Sequence, residues 1–216
     1  MREIIVKTTD EVTVPISELY YLRLKAFSQW KENGMDVLDH VIPLEQFNKN
    51  IGVFKVFVAH DAVTGELLGM HTFRLNKKKG CANGSNLAVL PTAKREGIAS
   101  KMLQEEIVWL QKAGYRYIIG NTAIPASWSV RWHLKNGYRI MGYSHGEGQN
   151  YASYVFRKQL YCDLRHHPSD LLWTRPLAPL TARLCFVASY TATRLCKHSD
   201  GSLNTLGRLA KKVIRK

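Results

Sequence analysis

The stretch LAVLPTAKREGIASKML, from Leu87 to Leu103, changes period half-way along. A continuous apolar run gives way to apolar residues three and four apart, which marks a strand passing into an amphipathic helix. The turn between the halves is basic and holds Gly97. The first backbone N–H groups of a helix lack internal partners, and the macrodipole adds roughly half a positive charge there, so such a turn can receive an anion. Lys94 and Arg95 stand beside those amides, Gly97 lets a ligand approach the backbone, and Ala99 and Ser100 keep the first turn small. A phosphate or pyrophosphate fits this description. A tight strand-to-helix turn with solvated cations accounts for the same residues, so the turn alone leaves both readings open. There is no GxxxxGK followed by Ser or Thr and no GxGxxG with a later acidic residue, which argues against a P-loop and a dinucleotide fingerprint.

Around this junction strand and helix signals alternate. REIIVKTT reads as a strand, and ELYYLRLKAFSQWKENG as an amphipathic helix ended by Gly34, followed by the loop MDVLDHVIP and a short helix. FKVFVAHD and LLGMHTFRL flank AVTGE as a hairpin, and KKKG turns into a fourth strand, SNLAVL. A helix over about Gly97 to Lys112, a fifth strand YRYIIGNT, a helix ASWSVRWHLKNG closed by Gly137, and the pair YRIMGYSH and YASYVFRKQL complete the order β-α-α-β-β-β-α-β-α-β-β. This is an α/β chain with a mixed sheet and helices on both faces.

Composition sets the outer bounds. With 216 residues, 45% of them apolar, the chain has room for one ordinary domain and an appendage. Cys81, Cys162, Cys185 and Cys196 show no CxxC pair and no regular spacing, so neither a disulfide framework nor a zinc ribbon is expected. The polar start MREIIVKTTDEV and the lack of any run of ~20 apolar residues lead to the expectation of a cytoplasmic protein. The formal net charge of +14 is uneven, because residues 162–216 hold ten Lys and Arg against three Asp. We therefore divide the chain into a domain over 1–161 and a basic C-terminal extension over 162–216.

The quoted stretch resembles the cofactor-binding motif of the GNAT acyltransferases, an apolar strand, a proline, then R/Q-x-x-G-x-G/A opening a helix. Lys94, Arg95, Glu96, Gly97, Ile98 and Ala99 fill that frame, with Lys94 in the place of the usual Arg or Gln. AIPASWSVRWHLKNGYRIMGY is similar to a second family segment, matching it at Ser129, Lys135, Gly137 and Tyr138, with Ala126 where Asn is common and His133 where Tyr is common. The resemblance covers residues of about 1–161. It implies a GNAT fold with splayed fourth and fifth strands, and an acyl-CoA, most often acetyl-CoA, as co-substrate. The pyrophosphate is then expected on the amides of residues 95–100, including Ser100, and the pantetheine arm along the backbone of Leu87 and Val89. Asn121 lies beside that slot and Ser129 near it.

The implied reaction is direct attack of an acceptor amine on the thioester, with no covalent enzyme intermediate and no metal. Positioning and backbone donors for the oxyanion supply much of such a rate enhancement. The fourth strand carries Ser85 and Asn86 where relatives often place a glutamate. The base is then sought at His71, at Glu32, Asp36 or Asp39, or in a water chain, and the general acid at His133. A longer acyl or an aminoacyl donor, and a CoA-binding or membrane-associated module with weak or no catalysis, are the alternatives.

The tail is read on its own residues. Leu203, Leu206, Ala210 and Val213 recur three and four apart while Arg208, Lys211, Lys212 and Arg215 point mostly elsewhere, a basic amphipathic helix. It can dock on the protein's own domain or meet an anionic membrane surface as a peripheral contact. Nucleic-acid binding has no motif behind it beyond charge.

Overall fold

The computed structural model describes residues 2–35, 43–145 and 151–161. Asp36, Asp39, three of the four cysteines and the amphipathic tail segment lie outside these residues. The elements run β1 (Ile4–Thr8), α1 (Ile16–Glu32), α2 (Leu44–Ile51), β2 (Lys55–Asp61), β3 (Leu67–Asn76) and β4 (Cys81–Val89), then α3 (Ile98–Lys112), β5 (Tyr117–Ala123), α4 (Ser127–Lys135), β6 (Arg139–His145) and β7 (Ala152–Gln159). A 3-10 turn, Pro91–Ala93, joins β4 to the basic loop. The sequence-derived order of strands and helices is reproduced, and the fold is the mixed α/β fold expected from the resemblance.

The strands form one sheet in the order β1-β2-β3-β4-β5-β7-β6. Neighbours are antiparallel except β4 and β5, which run parallel because α3 crosses over between them. Period-two alternation divides the sheet residues between two cores. Phe57, Ala59, Leu68, Phe73 and Ala82 pack under Ile98, Met102, Leu103 and Leu110 of α3. Val56, Val58, Met70 and Ala88 pack under Leu19, Leu22 and Ala26 of α1 and Phe47 of α2. Helices α1 and α3 therefore cover opposite faces. Among the described residues, no helix is long and apolar enough to cross a membrane.

Two departures from regular pairing shape the middle of the sheet. Thr72 opposes Ser85 and Met70 opposes Ala88, so His71 faces both Asn86 and Leu87 across a bulge. Asn86 takes the left-handed conformation there, φ 53°, which asparagine tolerates better than most residues. Beyond Asn83↔Ile119, β4 and β5 are no longer paired.

Candidate functional site

The parting of β4 and β5 leaves a slot whose walls are bare backbone. Leu90 donates its N–H to Leu68 O on β3, so alternation turns the polar groups of Val89 and Leu87 the other way, into the slot. On the facing wall Ile124 donates to Ala152 O, which by the same alternation directs the polar groups of Ala123 and Asn121 toward β4. Buried backbone donors and acceptors need partners. An extended chain bearing amides meets that need, as an added strand does at a sheet edge.

The loop at the end of β4 continues this surface. Gly97 caps α3 with φ 82°, and a Cβ built on it meets nothing within 4 Å, so open space adjoins the helix start. The first helix bonds run from Ser100 and Lys101 to Gly97 O, leaving the N–H groups of Ile98 and Ala99 without intrahelical acceptors. Arg95 is exposed and also left-handed, φ 69°. The side chains of the other loop residues are engaged elsewhere. Lys94 donates to Gln29 Oε1 of α1, and Glu96 lies 3.5 Å from the guanidinium of Arg2, which offsets a negative charge beside the anion site. Ser100 accepts from Trp132 Nε1 at 3.2 Å, tying α3 to α4.

At the vertex of the slot stand two glycines. Gly84 and Gly120 occupy the first rung beyond the last paired residues, and each is backed by an imidazole. The Cβ position of Gly84 is 2.9 Å from His71 Nε2, and that of Gly120 is 3.6 Å from His133 Nε2. His71 is buried and donates Nδ1–H to Glu106 of α3, with Nδ1 at 3.1 and 3.0 Å from the two carboxylate oxygens. The tautomer follows from the carboxylate partner and leaves Nε2 a bare acceptor against Gly84.

His133 is buried too, and donates Nδ1–H to Ser129 O at 2.8 Å. Its ring stacks on Phe156 at 4.6 Å. Burial pushes its pKa down to about 4, opposed by the Ser129 carbonyl and aided slightly by His71. An imidazole of this kind is neutral near pH 7 and has no proton on Nε2 to give, which differs from the acid role expected at this position. Ser129 holds α4 to β5, its hydroxyl accepting from Thr122 Oγ1 at 2.7 Å. Burial, with the Glu106 carboxylate adding to it, raises the pKa of Tyr138.

The sequence profile of the Acetyltransferase (GNAT) family matches residues 16–138, more than half of the chain. The chain belongs to the GNAT acetyltransferase family. Acyl-CoA is the co-substrate that membership implies, and the backbone-walled slot and the open start of α3 suit it. No curated protein matches this sequence. Among solved structures, the chain is similar to the ribosomal-protein-S18-alanine N-acetyltransferase from Escherichia coli, with TM-score 0.58, 13% identity, 76% of this chain and 99% of that chain covered. It is similar to the IAA acetyltransferase from Bacillus cereus, with TM-score 0.53, 15% identity and coverage of 73% and 99%. A chimeric spermidine N-acetyltransferase from Vibrio cholerae gives TM-score 0.56, 13% identity and coverage of 73% and 95%. At these identities the likeness is one of GNAT fold.

Three site residues carried no motif. Glu106 lies in the apolar phase of α3 with Met102, Leu103 and Leu110, and an acid in that stripe was the available signal. The neighbours Gly84 and Gly120, each inside a strand pattern, were a second one.

Proposed function

We propose that this chain moves an acyl group, acetyl in the simplest case, from acyl-CoA directly to an acceptor amine within a ternary complex. The observation that carries this reading is the slot, in which two central strands present unpaired backbone at Leu87, Val89, Asn121 and Ala123. In this reading the pantetheine amides lie along those walls. The pyrophosphate meets the backbone of Arg95 to Ser100, with Arg95 free to add its charge.

His71 takes the proton released by the attacking amine, through a water at the slot vertex. Its Nδ1–H is held by Glu106, so Nε2 is the nitrogen left to accept a proton. A CoA thiol has a pKa of about 8.5 by analogy with cysteine, so the thiolate is an adequate leaving group and His133 is not asked for a proton. Ser100 and Ser129 brace α3 and α4 around the site. The test is a thiol-release assay with acetyl-CoA and an amine library, run beside calorimetry of acetyl-CoA alone. Acetyl-CoA binding with acceptor-dependent thiol release is expected. Binding with no release by any amine supports a CoA-binding module instead.

A further inference from the structure

On the α1 face of the slot, one arginine has a guanidinium that the protein leaves half satisfied. Arg23 of α1 donates Nε–H to Asn86 Oδ1 at 3.0 Å, at the bulge residue immediately before the slot-lining Leu87. The amide of Asn86 is fixed by donation from Nδ2 to Thr72 Oγ1 at 3.2 Å, and Thr72 in turn donates to Ser85 O at 2.8 Å. This polar string sets which atom of Asn86 meets Arg23. The ring of Phe27 lies 5.9 Å from the guanidinium carbon. Nη1 is buried with no partner, and no acid pairs with Arg23 among the described residues. A buried, unpaired guanidinium N–H is costly.

Arg23 stands on the face of the sheet that α1 covers, bonded to β4 one residue before the slot-lining Leu87. We propose that Arg23 is the acceptor-recognition residue and that the acceptor is an amine carrying a carboxylate, of the amino acid class. The inference rests on the acyl-transfer reading above. With Nε committed to Asn86, Nη1 remains a donor without a partner, and a guanidinium donor is suited to a carboxylate oxygen. Polyamines and simple alkylamines leave Nη1 unpaired and are poor acceptors for the same reason.

The test compares α-amino acids with the amines obtained by removing their carboxylate, such as phenylalanine with phenethylamine and tryptophan with tryptamine, by acetyl-CoA-dependent thiol release. Wild type is expected to favour the carboxylate member by at least about 10²-fold in kcat/KM, since a site built to hydrogen-bond a group discriminates strongly against its loss. Arg23→Gln should bring the two members within a few-fold, mainly through KM, and Arg23→Lys should restore part of the preference. Acetyl-CoA affinity, measured by calorimetry on the same proteins, should be unchanged and shows that the variants are folded. The proposal is overturned if decarboxylated amines or polyamines serve equally well. It is also overturned if no carboxylate-bearing amine is used, or if Arg23→Gln keeps the preference. Failure of wild type to bind acetyl-CoA refutes the cofactor reading itself, and the proposal with it, whereas binding without a carboxylate preference refutes the acceptor class alone.

Discussion

His71 of β3 and Glu106 of α3 form a buried pair, with Nδ1 3.0 Å from Oε2. The pair joins the sheet to the helix whose start is proposed to meet the pyrophosphate. It also leaves His71 Nε2 against Gly84, at the point where β4 and β5 part. In the proposed reaction structural and chemical roles converge on it, and substitutions can separate them.

His71→Gln is expected to lower turnover by about 10²-fold, in the range for loss of a general base, while acetyl-CoA affinity stays near that of wild type. Glu106→Gln keeps an acceptor for Nδ1–H, but its amide does not fix the His71 tautomer as a carboxylate does, so it should lower turnover with little change in KM. His71→Ala strands the Glu106 carboxylate and should destabilise the fold by about 3–5 kcal/mol. Steady-state kinetics beside denaturant unfolding checks all three. Turnover by His71→Gln equal to wild type removes His71 from the chemistry.

Gly97 separates fold from cofactor. Its φ of 82° penalises any side chain, but a Cβ there has no neighbour within 4 Å. Gly97→Glu should therefore cost only about 1–2 kcal/mol of backbone strain, a Tm shift of a few degrees, yet place bulk and negative charge where the pyrophosphate approaches. We expect acetyl-CoA affinity to fall by at least about 10²-fold by calorimetry, and added acetyl-CoA to stop raising Tm. Unchanged affinity contradicts the placement of the pyrophosphate.

The two vertex glycines should respond unequally. A methyl at Gly84 meets His71 Nε2 at 2.9 Å and Phe73 at 3.2 Å, whereas one at Gly120 meets His133 Nε2 at 3.6 Å, an ordinary contact. Gly84→Ala is expected to destabilise by about 1–3 kcal/mol, as overpacking does, and to slow turnover by displacing His71. Gly120→Ala should cost clearly less, since no neighbour has to move to admit the methyl. Equal effects from the two would mean that His71 yields without consequence.

His133 has a linkage consequence. Its folded pKa of about 4 lies below the ordinary imidazole value of 6.5, so the unfolded chain binds the proton more readily between those values. The neutral imidazole's contribution is fully present above about 6.5 and is lost as pH falls toward 4, amounting to about 3 kcal/mol over that window. His133→Phe should flatten the dependence of unfolding free energy on pH between 6.5 and 4. Its turnover near pH 7 should fall by less than about tenfold. A loss beyond about 10²-fold in a folded variant returns His133 to the chemistry.

Much of the fold was legible in the chain because it is written locally. The order of strands and helices follows from apolar period and from glycine at turns, and the junction at Gly97 shows its change of period within a few residues. The family motif lies in that same short stretch, so the end of β4 and the start of α3 at Gly97 were locatable in advance. What only the tertiary structure decided depends on residues far apart in sequence. The insertion of β7 between β5 and β6, the end of β4–β5 pairing after Asn83↔Ile119, and the bulge that opposes His71 to Asn86 and Leu87 are matters of register. So are the contacts of His71 with Glu106 and of Arg23 with Asn86, 35 and 63 positions apart. The fate of His133 was decided the same way, since its position on α4 was legible but the rings of Phe156, Tyr138 and Trp132 that desolvate it were not. Burial and charge pairing arise when distant segments exclude water together, and they carry no local period to announce them.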